Sequence, residues 1–381
     1  MIAGRASAAN PNAIFQPVCV TVLQRCEPEA EAVTFWLQQS QAVAQNQLSR
    51  TGNLRRLLGI VLAAGVSFFV APSTNAKVTV TLTNYHGWLE AYQLSNGKAE
   101  VVVVPAVGRV MQFGFVGEEG VFWENRALDG RIVDGRPLQW SSGQWVNFGG
   151  DKTWPSPEAD WGLLTGRKDW RPPPAFDGIP AEARVDGRTL VLLSPVDSFF
   201  GIRTQRRIRL HPSKPEMTIT TTYERVSGEP AKVGVWVITQ LKEPVGLFAP
   251  LPGKSVFTNG YTLLGKNLPP SVKTTNGLVS LLRETKGAYK IGLDADSLLW
   301  VGEKHVLRID APRLSGVEYP DKGSSTEIYT NPDPLQYIEL ETLGPQRVMK
   351  PGDKIQHRNT YTLKRRSLPT PEAEARAAFR R

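Results

Sequence analysis

Glu339 and Glu341 stand two residues apart in Tyr337-Ile338-Glu339-Leu340-Glu341-Thr342, a spacing that puts both carboxylates on one face of a strand. On a buried face, two like charges push at least one pKa upward and give a general base near neutral pH. On a wet face the same pair is ordinary acidic surface. A second concentration lies between Trp123 and Trp170, where six Trp occur: Trp123, Trp140, Trp145, Trp154, Trp161 and Trp170. The same region holds Asn147, Gly149-Gly150-Asp151-Lys152 and Trp154-Pro155. Aromatic planes beside amides, carboxylates and a Lys suit a sugar. Its C–H faces lie on the rings, and a buried polar group left unpaired costs about 1–3 kcal/mol, so such a site selects hydroxyl geometry. The competing reading is that each Trp anchors a long loop.

Other groups carry weaker signals. Gly149-Gly150-Asp151 also reads as a plain turn with Lys152 as a solvated neighbour, and it lacks the context of a phosphate loop. The four His are widely separated and none has metal-ligand spacing, so no metal and no cofactor is expected. His86, in Tyr85-His86-Gly87-Trp88, is the best His candidate. Gln240 and Lys242 end an apolar strand, where a polar side chain often lines a cleft. No G-x-S-x-G elbow occurs.

These groups need a frame, and the sequence supplies one of strands. Two-residue alternation recurs over Val78–Thr83, Ala99–Val104, Arg109–Val116, Thr189–Ser194, Ile202–Leu210 and Met217–Arg225. In Ile202–Leu210 one face carries Ile202, Thr204, Arg206, Ile208 and Leu210, and the other Arg203, Gln205, Arg207 and Arg209. Val233–Gln240 is apolar on both faces and reads as a central, covered strand. Leu298–Val301, His305–Asp310, Glu327–Thr330, Tyr337–Leu343 and Lys354–Lys364 follow. The Trp-rich segment, dense in Gly and Pro, reads as a structured loop region. Many short strands without a helical stripe or a fixed repeat predict one large antiparallel sandwich, all-β, over 77–368. Residues 369–381 form a tail, as a short helix or frayed.

The 381 residues carry 45 Lys+Arg against 36 Asp+Glu, a net charge of +9. The basic residues are spread along the chain without a recognition-helix or RNP pattern, so nucleic acid is not an expected partner. Arg55-Arg56, the apolar run Leu57–Ala71, Pro72 and small residues up to Ala76 have the order of a signal peptide, assigned to 54–76. An exported protein, periplasmic or extracellular, without stable membrane insertion after cleavage is expected; an N-terminal membrane anchor is the alternative. Residues 1–53 read as an extension from too early a start, with translation expected near Leu48–Leu54, or as a disordered extension. Both Cys, Cys19 and Cys26, lie upstream of the cleavage point.

Three stretches resemble one family. Asn96–Pro105 followed by Gly108-Arg109-Val110, Phe148–Pro155, and Tyr337–Pro345 followed by Val348–Gly352 are similar to the opening, Gly-Gly/Trp-Pro and closing segments of the galactose-mutarotase-like superfamily, in an exported bacterial branch. The resemblance implies a β-supersandwich that binds carbohydrate. In that family a His acid and a Glu base exchange protons with the ring oxygen and the anomeric hydroxyl. Glu341 matches the base. The acid position falls near Val237–Leu241, where no His occurs, leaving Lys152, Asp151 or His86 to act. From the reading of the residues themselves, Trp123, Asn147, Trp154, Trp161, Gln240, Arg109 and Glu339 are the expected substrate-binding residues. The expectation is therefore an exported carbohydrate-binding protein of this fold, for which an aldose mutarotase or epimerase-type isomerase activity is one reading; the alternative is a non-catalytic glycan-binding or structural envelope protein. The sequence gives no oligomeric state.

Overall fold

The computed structural model describes residues 77–132, 146–166 and 172–380. The signal-peptide and early-start readings, and Trp140, Trp145 and Trp170, fall outside the described residues. Within them the strands, in chain order, are β1 (Thr79–Tyr85), β2 (Trp88–Ser95), β3 (Ala99–Val104), β4 (Arg109–Phe115), β5 (Asp151–Ser156), β6 (Glu182–Asp186), β7 (Thr189–Val196), β8 (Ile202–Leu210), β9 (Glu216–Arg225), β10 (Ala231–Leu241), β11 (Gly246–Pro250), β12 (Thr262–Leu263), β13 (Lys273–Thr275), β14 (Leu278–Leu281), β15 (Tyr289–Leu293), β16 (Ser297–Val301), β17 (His305–Asp310), β18 (Thr326–Thr330), β19 (Ile338–Leu343), β20 (Arg347–Met349) and β21 (Lys354–Arg365). The α-helices are α1 (Trp161–Thr165) and α2 (Pro371–Phe379).

Two antiparallel sheets result. The first has the order β1-β2-β3-β4-β5-β10-β19-β18-β15-β12, with β20 added on β10. The second runs β13-β14-β11-β16-β17-β21-β9-β8-β7-β6. Leu340, Ile328 and Ile291 of the first sheet pack with Leu307, Ile309 and Leu363 of the second in one buried cluster, as alternation requires of sheets that each bury one face. The all-β sandwich expected from the sequence is the observed fold.

The Trp-rich segment departs from expectation. Asp151–Ser156 is not loop but a central strand, paired along β10 from Asp151↔Thr239 to Ser156↔Gly234. It contains Pro155 because its other edge is nearly free: β4 pairs with it only at Val110↔Asp151. Gly149 and Gly150, at φ +93° and +73°, make the entry turn. A Cβ on Gly149 would sit 2.3 Å from the Trp123 carbonyl oxygen, so no larger residue fits. The C-terminal tail is an ordered helix. Thr370 caps α2, its Oγ1 accepting from the Ala373 N–H at 3.2 Å, and Ala375 is buried against Phe248, Leu299 and Val301.

Candidate functional site

Cross-strand register sorts the candidate residues onto two faces of the first sheet. One row reads Lys152–Ile238–Glu341–Glu327 across β5, β10, β19 and β18. The row before it along β5 reads Asp151–Thr239–Leu340–Ile328 and the row after it Thr153–Val237–Thr342–Thr326. Successive rows point to opposite sides of a sheet, so Asp151 and Lys152 part company. Thr153 Oγ1 lies 2.6 Å from the Tyr223 hydroxyl of β9, which fixes the Asp151/Thr153 side as the one facing the second sheet. Lys152, Trp154, Trp236, Gln240, Glu339, Glu341, Glu327, Tyr329 and Lys290 therefore share the outer face.

Asp151 is spent inside the sandwich. Its carboxylate pairs with the buried Arg206 guanidinium and accepts from Thr239 Oγ1 and the Tyr361 hydroxyl, both at 2.6 Å. This explains why Arg206 stands on the otherwise uncharged inner face of β8. Arg109 is also buried; it donates to the Gly149 carbonyl at 2.8 Å and forms an ion pair at 2.5 Å with Asp177. Its neighbour Val110 pairs with Asp151 and faces the core, so Arg109 itself lies on the outer side, where Asp177 also accepts from Trp154 Nε1 at 3.2 Å.

On the outer face the charges are close and dry. Lys152 is 1% exposed, and its Nζ lies 4.0 Å from the centroid of the Trp154 ring. Burial, helped by Arg109, brings its pKa down to about 8, against the pull of Asp177, Glu339 and Glu341. Burial and the neighbouring Glu341 push Glu339 up to about 7, while Lys152 and a 2.7 Å hydrogen bond from Gln240 Nε2 work the other way. Glu341 is fully buried; its Oε2 accepts from Trp236 Nε1 at 2.7 Å and meets Lys290 Nζ at 2.9 Å. Lys290 bridges to Glu327 at 2.6 Å and sits 4.3 Å from the Trp236 ring centroid. Burial works against the Lys290 ammonium, but the two carboxylates outweigh it and hold its pKa well above the usual value. Burial first, then Glu341 and Asp321, holds the Glu327 carboxyl well above its ordinary range. Glu341 Oε1 and Gln240 Oε1 receive no hydrogen bond from any N–H or hydroxyl of the described chain.

The aromatic residues divide. Trp154, Trp161 and Trp236 pack on one another with centroids 5.4 to 6.4 Å apart, and Trp161 Nε1 donates to the Pro155 carbonyl at 2.7 Å. They form a dry wall on the outer face. Trp123 is only partly buried and lies against Tyr337, centroids 4.6 Å apart. The buried Asn147 side chain accepts from the Gly149 N–H at 3.3 Å and lies beside the Tyr337 hydroxyl. Trp123 also walls a cavity of about 460 Å³, with Tyr85, His86, Glu124, Arg126 and Lys242. His86 is exposed in the β1–β2 turn, its Nδ1 3.0 Å from Arg126, and burial together with that charge lowers its pKa. A cavity of about 730 Å³ bounded by Pro250, Asp296, Arg313 and Arg376 contains none of the candidate residues.

Sequence reasoning missed Lys290, Glu327 and Trp236 as site residues. Each had a signal. Tyr289, Ile291 and Leu293 alternate with Lys290, while Glu327 and Trp236 lay in recognised strands on the non-core side.

The chain is similar to galactose mutarotase-like structures. It covers 72% of its length on a galactose mutarotase-like protein of Lactobacillus casei (100% of that chain, 8% identity, TM-score 0.48). Over 76% of its length it matches one of Clostridium acetobutylicum (99% of that chain, 10% identity, TM-score 0.47). A galactose mutarotase related enzyme of Lactobacillus acidophilus aligns with 72% (97% of that chain, 11% identity, TM-score 0.45). No family model and no curated protein matches the chain. The two-sheet architecture stands on the strand pairing itself.

Proposed function

We propose that this protein binds a carbohydrate on the outer face of the first sheet and moves protons on it in the manner of an aldose mutarotase or epimerase. One observation carries the reading: a Lys and a Glu with pKa values of about 8 and about 7 share that face with two buried acceptor oxygens that lack a donor among the described residues. Hydroxyls supply donors, and a group titrating near neutrality exchanges protons efficiently in either direction. The Glu339 carboxylate removes the proton of the anomeric hydroxyl. Lys152 gives one to the ring oxygen as the ring C–O bond opens. Closure on the opposite carbonyl face returns both protons and leaves the other anomer. Trp123, packed on Tyr337 beside β19, offers a ring to the sugar C–H face. Export follows from residues 54–76 alone and is proposed with it.

The test is anomer exchange of glucose and galactose followed by saturation-transfer NMR, alongside binding on a glycan array. Wild type should bind and accelerate exchange, and Glu339→Gln should bind without accelerating it. A wild type that binds but does not accelerate supports the glycan-binding alternative. A wild type that neither binds nor accelerates overturns both.

A further inference from the structure

The second sheet has an open edge in its middle. β21 pairs with β9 from Lys354 to Thr362, whereas β17 covers its other edge only from Thr360 to Arg365. β17 stops because the chain leaves the sheet: the Ala311 N–H donates to the Asp296 carbonyl at 2.9 Å, and Pro312 has no N–H to continue a ladder. Lys354–Asn359 thus has no strand on that side among the described residues. The Asp353 carbonyl accepts from Arg225, and the Leu363 N–H donates to the Pro215 carbonyl, so odd-numbered residues turn their main chain toward β9. With a period of two, Lys354, Gln356 and Arg358 turn theirs to the open edge.

A cavity of about 420 Å³ follows that edge. Val235, Pro312, Leu314 and Pro345 give it apolar walls, and Arg347, Lys354 and Arg358 bring positive charge. Glu224 holds Lys354 at 3.3 Å, while Arg347 and Arg358 form no ion pair among the described residues. Side-chain alternation separates the two characters. His357 points between the sheets, where its Nε2 meets Thr342 Oγ1 at 3.0 Å and burial takes its pKa down to about 4, so it adds no charge there. Arg358 and Lys354 are exposed on the outer side.

We propose that this edge binds an extended peptide that adds as a strand to β21, with carboxylates at alternate positions and apolar side chains between them. Residues opposite Lys354 and Arg358 share their outer face and meet cations. The residue opposite His357 faces inward, into the apolar cavity. Three features favour a peptide over other anionic polymers. Main-chain donors and acceptors repeat at strand spacing, a cavity runs along them, and no Trp, Tyr or Phe among the described residues lines it for base stacking.

The probe is fluorescein-labelled acetyl-Glu-Val-Glu-Val-Glu-amide, read by fluorescence anisotropy against the full chain. It is compared with one peptide N-methylated at the Val residues and one N-methylated at the Glu residues; all three carry the same charge. Saturable binding should weaken by about tenfold or more with one methylated set and persist with the other, because only one set of N–H groups faces β21. Arg358→Glu, an exposed substitution, should weaken the parent peptide by a similar factor. The proposal fails if the parent does not bind at about 1 mM. It also fails if both or neither methylated peptide is weakened, if Arg358→Glu has no effect, or if heparin or a DNA oligonucleotide displaces the peptide more effectively than unlabelled peptide does.

Discussion

Asp151 and Lys152 are neighbours in sequence with opposite destinations, and substituting each in turn tests the whole face assignment. Asp151→Asn keeps the shape of the side chain but removes the counter-charge of Arg206, which is 3% exposed. Leaving one partner of a buried ion pair uncompensated costs about 3–5 kcal/mol. In a domain of this size each kcal/mol lowers the thermal midpoint by about 2–4 °C, so a fall of about 6–20 °C is expected. Lys152→Met removes a desolvated cation from a wall of Trp154 and Trp236 and fills the space with apolar atoms. Its stability should change by less than about 1 kcal/mol, or rise, while anomer exchange is lost. Urea unfolding followed by Trp fluorescence reads both, since the midpoint moves with stability while the slope stays constant. A slip of one residue in the β5–β10 register would exchange the two results, because it moves every side chain to the other face. Equal costs, or an Asp151→Asn protein as stable as wild type, would refute the reasoning.

The pH dependence has a definite sign. Glu339 holds its proton more tightly folded, at about 7 against 4.5, so its contribution to stability is full below pH 4.5 and lost as pH rises to 7. Lys152 holds its proton less tightly folded, at about 8 against 10.5, so its contribution is full above pH 10.5 and lost as pH falls to 8. These two groups together place a stability minimum between pH 7 and 8, where exchange, needing ionised Glu339 and protonated Lys152, should peak. Urea midpoints across pH check the first, with Glu339→Gln expected to flatten the acid limb; a rate profile checks the second. Ending the chain at Pro369 removes α2 and uncovers Phe248, Leu299 and Val301. Stability should fall by about 1–3 kcal/mol and the protein should self-associate on size exclusion; unchanged behaviour would show that α2 does not cover those side chains.

The fold was legible where strands alternate and opaque where they do not. Ala99–Val104, Ile202–Leu210 and His305–Asp310 coincide with β3, β8 and β17 to the residue: β8 buries one face and a two-residue period marks it, while β3 is a run of Val buried on both faces. β5 escaped because its local chemistry points elsewhere. Gly149-Gly150 ahead of it and Pro155 within it are turn residues by propensity, and only the pairing with β10 overrides them. The short β12, β13 and β20 are too brief for any period to show.

The site shows the same division at the level of single side chains. Two carboxylates two apart on β19 gave the shared face of Glu339 and Glu341, and the direction of the Glu339 pKa followed from like charges on a dry surface. What stayed hidden was anything that depends on which strand lies next to which. Asp151 looked like a partner for Lys152 because it adjoins it in sequence, yet in a strand adjacency guarantees separation. Lys290 looked like one basic residue among 45 Lys and Arg. It reaches Glu341 only because β15 pairs with β18 and β18 with β19, a neighbour relation set by two chain crossings. Trp236 follows the same rule: its indole N–H matters because β10 lies against β19, and the register Ile238↔Glu341 brings the ring within reach of the carboxylate. Composition and period therefore reveal which residue types a face carries, while the register decides which of them can exchange a proton.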